Sequence, residues 1–272
     1  MQRIAFYGKG GIGKSTVAAG VSLALARQGR RVLHIGCDPK HDSTLTLVQD
    51  GPATTVIDQI FERPTGSLKA QHLIMPGKEG IDCIESGGPQ AGVGCGGRAV
   101  SRMFEVFEEI GVLDEKKYDV AVFDVLGDVV CGGFAAPLRS AFAPKVVIVL
   151  SEEMAAGYAA NNIARGVQYY LDNGVVLAGL VLNLRDNRVG SKPVERIAKA
   201  MNTRILAVLP RDPLVGEAEI MQQSVLEHAP ESQVAQALSR LSKKLIDTDP
   251  ADCPAPTPVE LEELRALMQK KD

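Results

Sequence analysis

Tyr7 to Thr16 reads YGKGGIGKST, and this stretch decides the fold. Gly8, four further residues, then Gly13, Lys14 and Ser15 have the spacing of a phosphate-binding loop. An apolar, β-branched run, RIAFY, comes before it and a run with helical apolar spacing follows, so the glycines fall where a strand hands over to a helix. Glycines let backbone N–H groups turn inward around phosphate oxygens, and the helix N-terminus adds its positive end. Lys14 is expected to reach the β and γ phosphates of ATP and Ser15 to ligate Mg²⁺, with Gly10, Gly11, Ile12, Gly13 and Thr16 completing the cradle. A chance match in a glycine-rich turn is the bland alternative, and the flanking strand and helix weigh against it. Lys9 is surplus to the motif: a cation beside Lys14 is repelled unless further negative charge lies nearby.

Outward from this loop, short apolar runs alternate with helical patterns. RVLHIG, IDCIES, YDVAVFDV, KVVIVLS, LAGLVLN and RILAVLP read, with RIAFY, as buried strands. That rhythm predicts an α/β P-loop NTPase fold, a mainly parallel twisted sheet flanked by helices on both faces. Crossovers between parallel strands are right-handed and ligands bind beyond the strands' carboxyl ends, so the loops after strands are the places to search. DTDPADCPAPTP, Asp247 to Pro258, is too rich in proline for helix or central strand and reads as an extended linker. The apolar stripe Val259, Leu261, Leu264, Leu267 and Met268 then predicts a last helix. The organisation expected is a P-loop ATPase domain over 1–246, with a linker and helix over 247–272.

Bulk properties exclude several classes. The 272 residues carry a formal net charge of -3, so no global positive field draws the chain to nucleic acid or to an anionic membrane. No run approaches the roughly 18 apolar residues of a membrane span, and the first residues lack the pattern of a leader, so the expected location is cytoplasmic. The five cysteines, Cys37, Cys83, Cys95, Cys131 and Cys253, are odd in number and sparsely spaced, which favours thiols or metal-bound thiolates over a disulfide scaffold.

Two more strand-following loops carry carboxylates. GCDPKHDST places Asp38 and Asp42 after RVLHIG, and FDVLGDVVCGG places Asp124 and Asp128 after YDVAVF. A carboxylate at a strand end beside the phosphate loop can hold the Mg²⁺ shell, a role that Asp124 fits best. Asp128 is placed to orient or deprotonate the attacking water, and Asp38 and Asp42 to make a second contact with Mg²⁺ or water. As plain loop or cap residues these aspartates would need no ligand at all.

Cys95 in GVGCGGR and Cys131 in DVVCGGF are each followed by two glycines, so backbone N–H groups can come close to the sulfur. An iron–sulfur cube takes four thiolates, and two from one chain make half a site. A two-fold homodimer brings the same patch twice to its axis and completes one [4Fe–4S] centre. Buried structural cysteines and a zinc site shared across the axis remain as alternatives. Asp124 and Cys131 are seven positions apart, at most roughly 25 Å of extended chain, so movement at a nucleotide can pass directly to the second cysteine.

KGGIGKST, GCDPKHDST, ESGGPQAGVGCGGRAV, DVLGDVVCGGFAAPLR and GYAANNI together resemble the nitrogenase iron protein family and its nitrogenase-like reductases, through most of residues 1–230. The resemblance implies a homodimeric ATPase bridged by one [4Fe–4S] cluster, which docks on a larger catalytic component and passes it single electrons as ATP is hydrolysed. It implies a ferredoxin- or flavodoxin-type donor, with Lys9 reaching across the interface to the partner's nucleotide. By motif, Asn183 in VLNLRD and Asp212 in LPRD match the adenine side, and Arg98 in GCGGR matches an arginine of the docking face that is ADP-ribosylated in some relatives. His41 and the GCGG and GGFAAPL forms look like the tetrapyrrole-reducing branch, whereas GGRAV and YAANNI look like the nitrogenase branch. That mixture points to a nitrogenase-like reductase for a tetrapyrrole or methylthio-alkane rather than to dinitrogen. A metal-free positioning or partition ATPase, and a scaffold that hands its cluster on, are the rival functions; the former is expected to show a basic amphipathic patch and no paired cysteines.

Overall fold

Eight strands form one sheet: β1 (Gln2–Tyr7), β2 (Val32–Cys37), β3 (Met75–Pro76), β4 (Asp82–Glu85), β5 (Val120–Val125), β6 (Lys145–Leu150), β7 (Val176–Asn183) and β8 (Ile205–Leu209). The computed structural model describes residues 1–49, 54–64, 66–90, 93–127, 135–139 and 142–269. The seven apolar runs of the sequence are all strands, and β2, β5 and β6 are buried at every residue. Helices cover both faces of such strands, which is why the runs are continuously apolar instead of alternating. The eighth strand, β3, is two residues long and the only antiparallel member among the described residues.

Strand order is β3-β4-β2-β5-β1-β6-β7-β8. β1 lies between β5 and β6, so the chain departs from it to one side early and to the other side later. A crevice opens where the winding reverses, beyond the carboxyl ends of these strands, and the loop after β1 lies in it. One register row crosses this rim: Glu85 of β4 pairs with Gly36 of β2, Gly36 with Asp124 of β5, and Asp124 with Phe6 of β1.

The helices are α1 (Lys14–Arg27), α2 (Val56–Glu62), α3 (Gly96–Ile110), α4 (Ala136–Arg139), α5 (Met154–Tyr169), α6 (Lys192–Ala200), α7 (Pro213–Ile220), α8 (Val225–His228), α9 (Gln233–Asp247) and α10 (Leu261–Gln269). α1 is buried from Val17 to Leu25 between the sheet and α9, and its alanines and Gly20 permit that close packing. Phe104 of α3 makes ring contacts with Phe107 of the same helix, Phe123 of β5 and Phe142, which fixes α3 on the sheet.

At the amino ends of the strands the rim is closed. Lys145, buried, donates from Nζ to Gln2 Oε1 (2.7 Å) and to the Leu245 carbonyl (3.0 Å), joining β6, β1 and α9. Past α9 the proline-rich segment makes a short 3-10 turn at Pro250–Asp252 and then runs extended. It is tied down by Asn161 of α5, whose side chain donates to the Val259 carbonyl (2.8 Å) and accepts from its N–H (2.9 Å). Leu264 of α10 is fully buried against α5 and α6. No helix among the described residues is long and apolar enough to cross a membrane.

Candidate nucleotide and thiolate site

The phosphate loop joins β1 to α1 without a side-chain cap, because Gly13 at the N-cap adopts φ 90°. Gly8 is held at φ 151° where a Cβ would stand 2.2 Å from the Val149 carbonyl oxygen of β6. Only glycine passes this point, so the turn is set by contact with the neighbouring strand as well as by local freedom. The loop is braced from β7 and the segment after it: Asn183 Nδ2 donates to the Ile12 carbonyl (2.8 Å) and the Arg185 guanidinium to the Gly11 carbonyl. Both braces draw on loop carbonyls and not on its N–H groups, of which that of Ile12 donates to the Lys9 carbonyl (3.2 Å). Gly10, Gly11 and Lys9 are exposed, while Ile12 is buried beneath the turn.

Lys14 and Asp124 form the centre of the site. Lys14 Nζ donates to Asp124 Oδ1 at 2.9 Å, both groups almost wholly buried, and Ser43 Oγ donates to Asp124 Oδ2 at 2.6 Å. Burial opposes ionisation of Asp124, but the Lys14 ammonium and hydrogen bonds from Ser15, Ser43 and Lys14 outweigh it and hold the carboxyl below its ordinary value. A carboxylate beside Ser15 at the foot of the phosphate loop is the arrangement a hydrated Mg²⁺ requires. Asp38 is buried, accepts from the Lys40 N–H (2.9 Å) and pairs with Lys40 Nζ (3.4 Å), which also approaches the exposed Asp42 (4.0 Å). Asp128 lies outside the described residues.

Two adjoining cavities flank the loop. One of about 270 Å³ is lined by Gly11, Gly13, Asn183, Arg185 and Asp212. The other, of about 230 Å³, is lined by Ser15, Asp42, Ser43 and Thr46. Thr16 lines both, and its hydroxyl donates to Glu219 of α7 (2.9 Å) between them. Asn183 and Asp212, placed by the sequence on the adenine side, therefore meet in one cavity. Asp212 is also the N-cap of α7, accepting from the Leu214 N–H (3.0 Å), so its carboxylate serves the helix whether or not a ligand is present.

Sequence reasoning did not single out four residues behind this centre, Ser22, His34, Ser43 and Glu85. His34, mid-strand in β2, is fully buried between Ser22 (Nδ1 to Oγ, 2.9 Å) and Ser43 (Nε2 to Oγ, 2.9 Å). Burial pushes its pKa down to about 4 against the pull of Asp124, so it is neutral near pH 7. Glu85 accepts from the Thr44 N–H at Oε1 (2.8 Å), while its Oε2 has no hydrogen-bond partner among the described residues. Burial, with smaller contributions from Asp124 and Asp42, raises Glu85 to about 8 against the hydrogen bonding of Thr44. The signal was legible for His34, a polar residue inside RVLHIG, and for Ser43, which stands within the quoted GCDPKHDST.

Cys95 is the exposed N-cap of α3, with extended φ and ψ and no side-chain cap on the helix. Cys37 and Cys83 are buried and Cys253 is half-buried. Among the described residues no three histidine, cysteine or acidic groups gather as a metal site, and Cys131 lies outside them. Cys95 fits one corner of an iron–sulfur centre: it is exposed, its neighbours Gly94 and Gly96 are small, and the positive end of the α3 dipole favours negative charge there. Pro39, between Asp38 and Lys40, packs against Gly96 and Gly88, where added Cβ atoms would lie 2.5 Å from Pro39 Cγ and 2.7 Å from Pro39 Cβ. The aspartate loop and the start of the cysteine helix are thus in direct contact.

Sheet order, phosphate loop and the Lys14–Asp124 pair define the chain as an α/β protein of the P-loop NTPase class. Solved structures with this fold include the septum site-determining protein MinD from Pyrococcus horikoshii OT3, complexed with Mg-ADP (TM-score 0.72, 24% identity, covering 91% of this chain and 97% of that one). A ParA family ATPase from Chlorobium tepidum TLS aligns with TM-score 0.68 at 19% identity over 89% of this chain and 98% of the other. Cobyrinic acid a,c-diamide synthase from Mycobacterium smegmatis, with bound ADP and magnesium, aligns with TM-score 0.65 at 22% identity over 90% and 94%. Within the class, the profile of the 4Fe-4S iron sulfur cluster binding proteins, NifH/frxC family, matches residues 2–272, and the chain belongs to that family. The match extends beyond residue 230, where the motif resemblance stops, through α10.

Proposed function

We propose that the protein is the ATP-hydrolysing, electron-donating component of a nitrogenase-like reductase, working in the cytoplasm as a homodimer. The observation that carries this reading is the contact of Pro39 with Gly96, which sets the loop of Asp38 and Asp42 against the residue following Cys95. Family membership supports an iron–sulfur function, and the site supplies the nucleotide half of the machine. The phosphate-loop N–H groups and Lys14 bind the phosphates, and Ser15 and Asp124 bind Mg²⁺ and its water shell. Asp38, Asp42 and Asp128 sense the γ-phosphate, Lys9 reaches the partner's nucleotide, and Asn183 and Asp212 line the adenine side. Cys95 and Cys131 of each protomer would hold one [4Fe–4S] cluster, which when bound supplies one-electron transfer. Loss of the γ-phosphate moves the aspartate loop, and Pro39 transmits that movement to the start of α3. A larger catalytic component receives the electrons and sets the terminal substrate, a tetrapyrrole or methylthio-alkane in preference to dinitrogen. A ferredoxin- or flavodoxin-type protein supplies them.

Anaerobic reconstitution tests the proposal. Wild-type protein is expected to be a brown dimer with about four irons per dimer, and Cys95→Ser or Cys131→Ser to lose the iron while binding ATP with unchanged affinity. Iron-free, colourless wild-type protein after reconstitution, or full iron retained in either variant, would refute it.

A further inference from the structure

The buried groups behind Asp124 form a single directed chain of hydrogen bonds. Asp124 is ion-paired with the Lys14 ammonium at 2.9 Å, and as a carboxylate it can only accept, so the 2.6 Å contact from Ser43 uses the Ser43 proton. Ser43, 2.9 Å from His34 Nε2, must then accept from an Nε2–H. A neutral imidazole carries one proton, which leaves Nδ1 bare as the acceptor for the Ser22 hydroxyl at 2.9 Å. Every proton in the series Ser22, His34, Ser43, Asp124 therefore points the same way, towards the carboxylate. The chain spans four elements: Ser22 in α1, two turns beyond Lys14; His34 in β2; Ser43 in the loop that carries Asp38 and Asp42; and Asp124 in β5.

We propose that His34 is a positioning residue for ATP hydrolysis, acting through Ser43 to fix the plane of the Asp124 carboxylate and to hold the aspartate loop against β5. The inference rests on the ATPase reading above and extends it to residues that touch no nucleotide. The reason is directional. Asp124 Oδ1 faces Lys14, whose ammonium is the group that turns to the phosphates when nucleotide binds. Ser43 on Oδ2 is then the contact that keeps the carboxylate aimed. An N–H entering Ser43 from behind fills its acceptor site and leaves its own proton no direction but Asp124. Without that N–H the serine hydroxyl rotates, and the carboxylate loses orientation though not charge. The effect falls on kcat, since it alters the aim of the carboxylate that would hold Mg²⁺ and not the phosphate grip.

The test uses full-length wild-type protein and the variants His34→Leu, His34→Gln and Ser43→Ala, assayed for ATP hydrolysis, ATP affinity and thermal stability. Glutamine places an N–H near the Nε2 position and is folded by the same packing, so it also covers the case in which the leucine variant fails to fold. The expected result is a loss of kcat of roughly tenfold in His34→Leu with KM changed less than twofold, and recovery to within about threefold of wild type in His34→Gln. In a Ser43→Ala background, His34→Leu is expected to cause no further loss, because both changes break one path. Nitrogen NMR of the imidazole, assigned by its disappearance in His34→Gln, is expected to show a neutral ring protonated at Nε2. The proposal is overturned by a ring protonated at Nδ1, by a leucine variant that loses stability but keeps kcat, or by additive losses in the double variant. Wild-type protein without any ATP hydrolysis would instead defeat the ATPase reading itself.

Discussion

Pro39 and Gly96 meet so closely that a Cβ on the glycine would stand 2.5 Å from Pro39 Cγ. They are 57 positions apart in the chain, yet they join the loop of Asp38 to the first residue of α3. The proline ring is stiff, so an alanine at 96 displaces the aspartate loop and cannot be absorbed by a rotamer change. Gly96→Ala is expected to cost about 1–3 kcal/mol of stability and to uncouple the two ends of the contact. In wild-type apoprotein, MgATP and MgADP should give different rates of Cys95 alkylation, followed by peptide mass spectrometry. In Gly96→Ala the two rates should converge.

Asp124→Asn leaves the size of the side chain unchanged and removes its charge. The buried Lys14 ammonium then lacks a counter-charge, which in nucleotide-free protein is expected to cost about 3 kcal/mol or more. Phosphate oxygens restore negative charge beside Lys14, so saturating ATP should recover part of the loss. Hydrolysis should fall by about a hundredfold or more, since the carboxylate proposed to hold Mg²⁺ is gone. Denaturant titration with and without nucleotide separates these effects, and an equal loss in both conditions would contradict the assigned role of Lys14.

The pH dependence of stability follows from two buried groups of opposite sign. His34 stays neutral down to about 4 in the folded chain, below its ordinary 6.5, so its contribution is complete above 6.5 and is lost as pH falls from there towards 4. Glu85 is raised from 4.5 to about 8, so its contribution is complete below 4.5 and is lost as pH rises towards 8. Between about 4.5 and 6.5 the two slopes, each about 1.4 kcal/mol per pH unit, offset one another. Above 6.5 only the Glu85 loss remains. Urea midpoints should therefore be level and then decline between pH 6.5 and 8. Glu85→Gln should abolish that decline, and His34→Gln should extend it down to about 4.5.

Gly8 and Gly10 separate conformation from location within the phosphate loop. A Cβ on Gly10 meets nothing within 4 Å, whereas one on Gly8 collides with the Val149 carbonyl at a φ that side chains avoid. Gly8→Ala is expected to destabilise by about 3 kcal/mol or more and Gly10→Ala by less than about 1 kcal/mol, as read by chemical denaturation.

The sequence made the sheet legible because parallel strands covered on both faces are continuous apolar runs, and all seven such runs are strands. It did not disclose β3, since Met75–Pro76 is too short for a pattern and ends in a residue that weakens a strand. Lys14, Ser15 and Asp124 were legible because motif spacing and strand ends fix them. His34 is a polar residue inside an apolar run, but its partners Ser22 and Ser43 become neighbours only after the crossover from β1 to β2. Glu85 comes near Asp124 through Gly36, whose missing side chain leaves the space: a Cβ there would lie 1.9 Å from Glu85 Oε2. That adjacency depends on strand order, which no local pattern encodes. Asp212 satisfied both readings, as helix cap and cavity wall, so its residue type alone did not discriminate between them.

The closed amino rim, where Lys145 pins Gln2 and Leu245, provides a handle as well as a lock. Nucleotide loop, aspartates and Cys95 all sit at the other end of the strands, so a linker attached on the locked side would orient each molecule with its working end outward. Tethered to a surface in that way, the protein would present its phosphate loop and Cys95 to solvent and keep the anchoring chemistry about a strand's length away, roughly 20 Å.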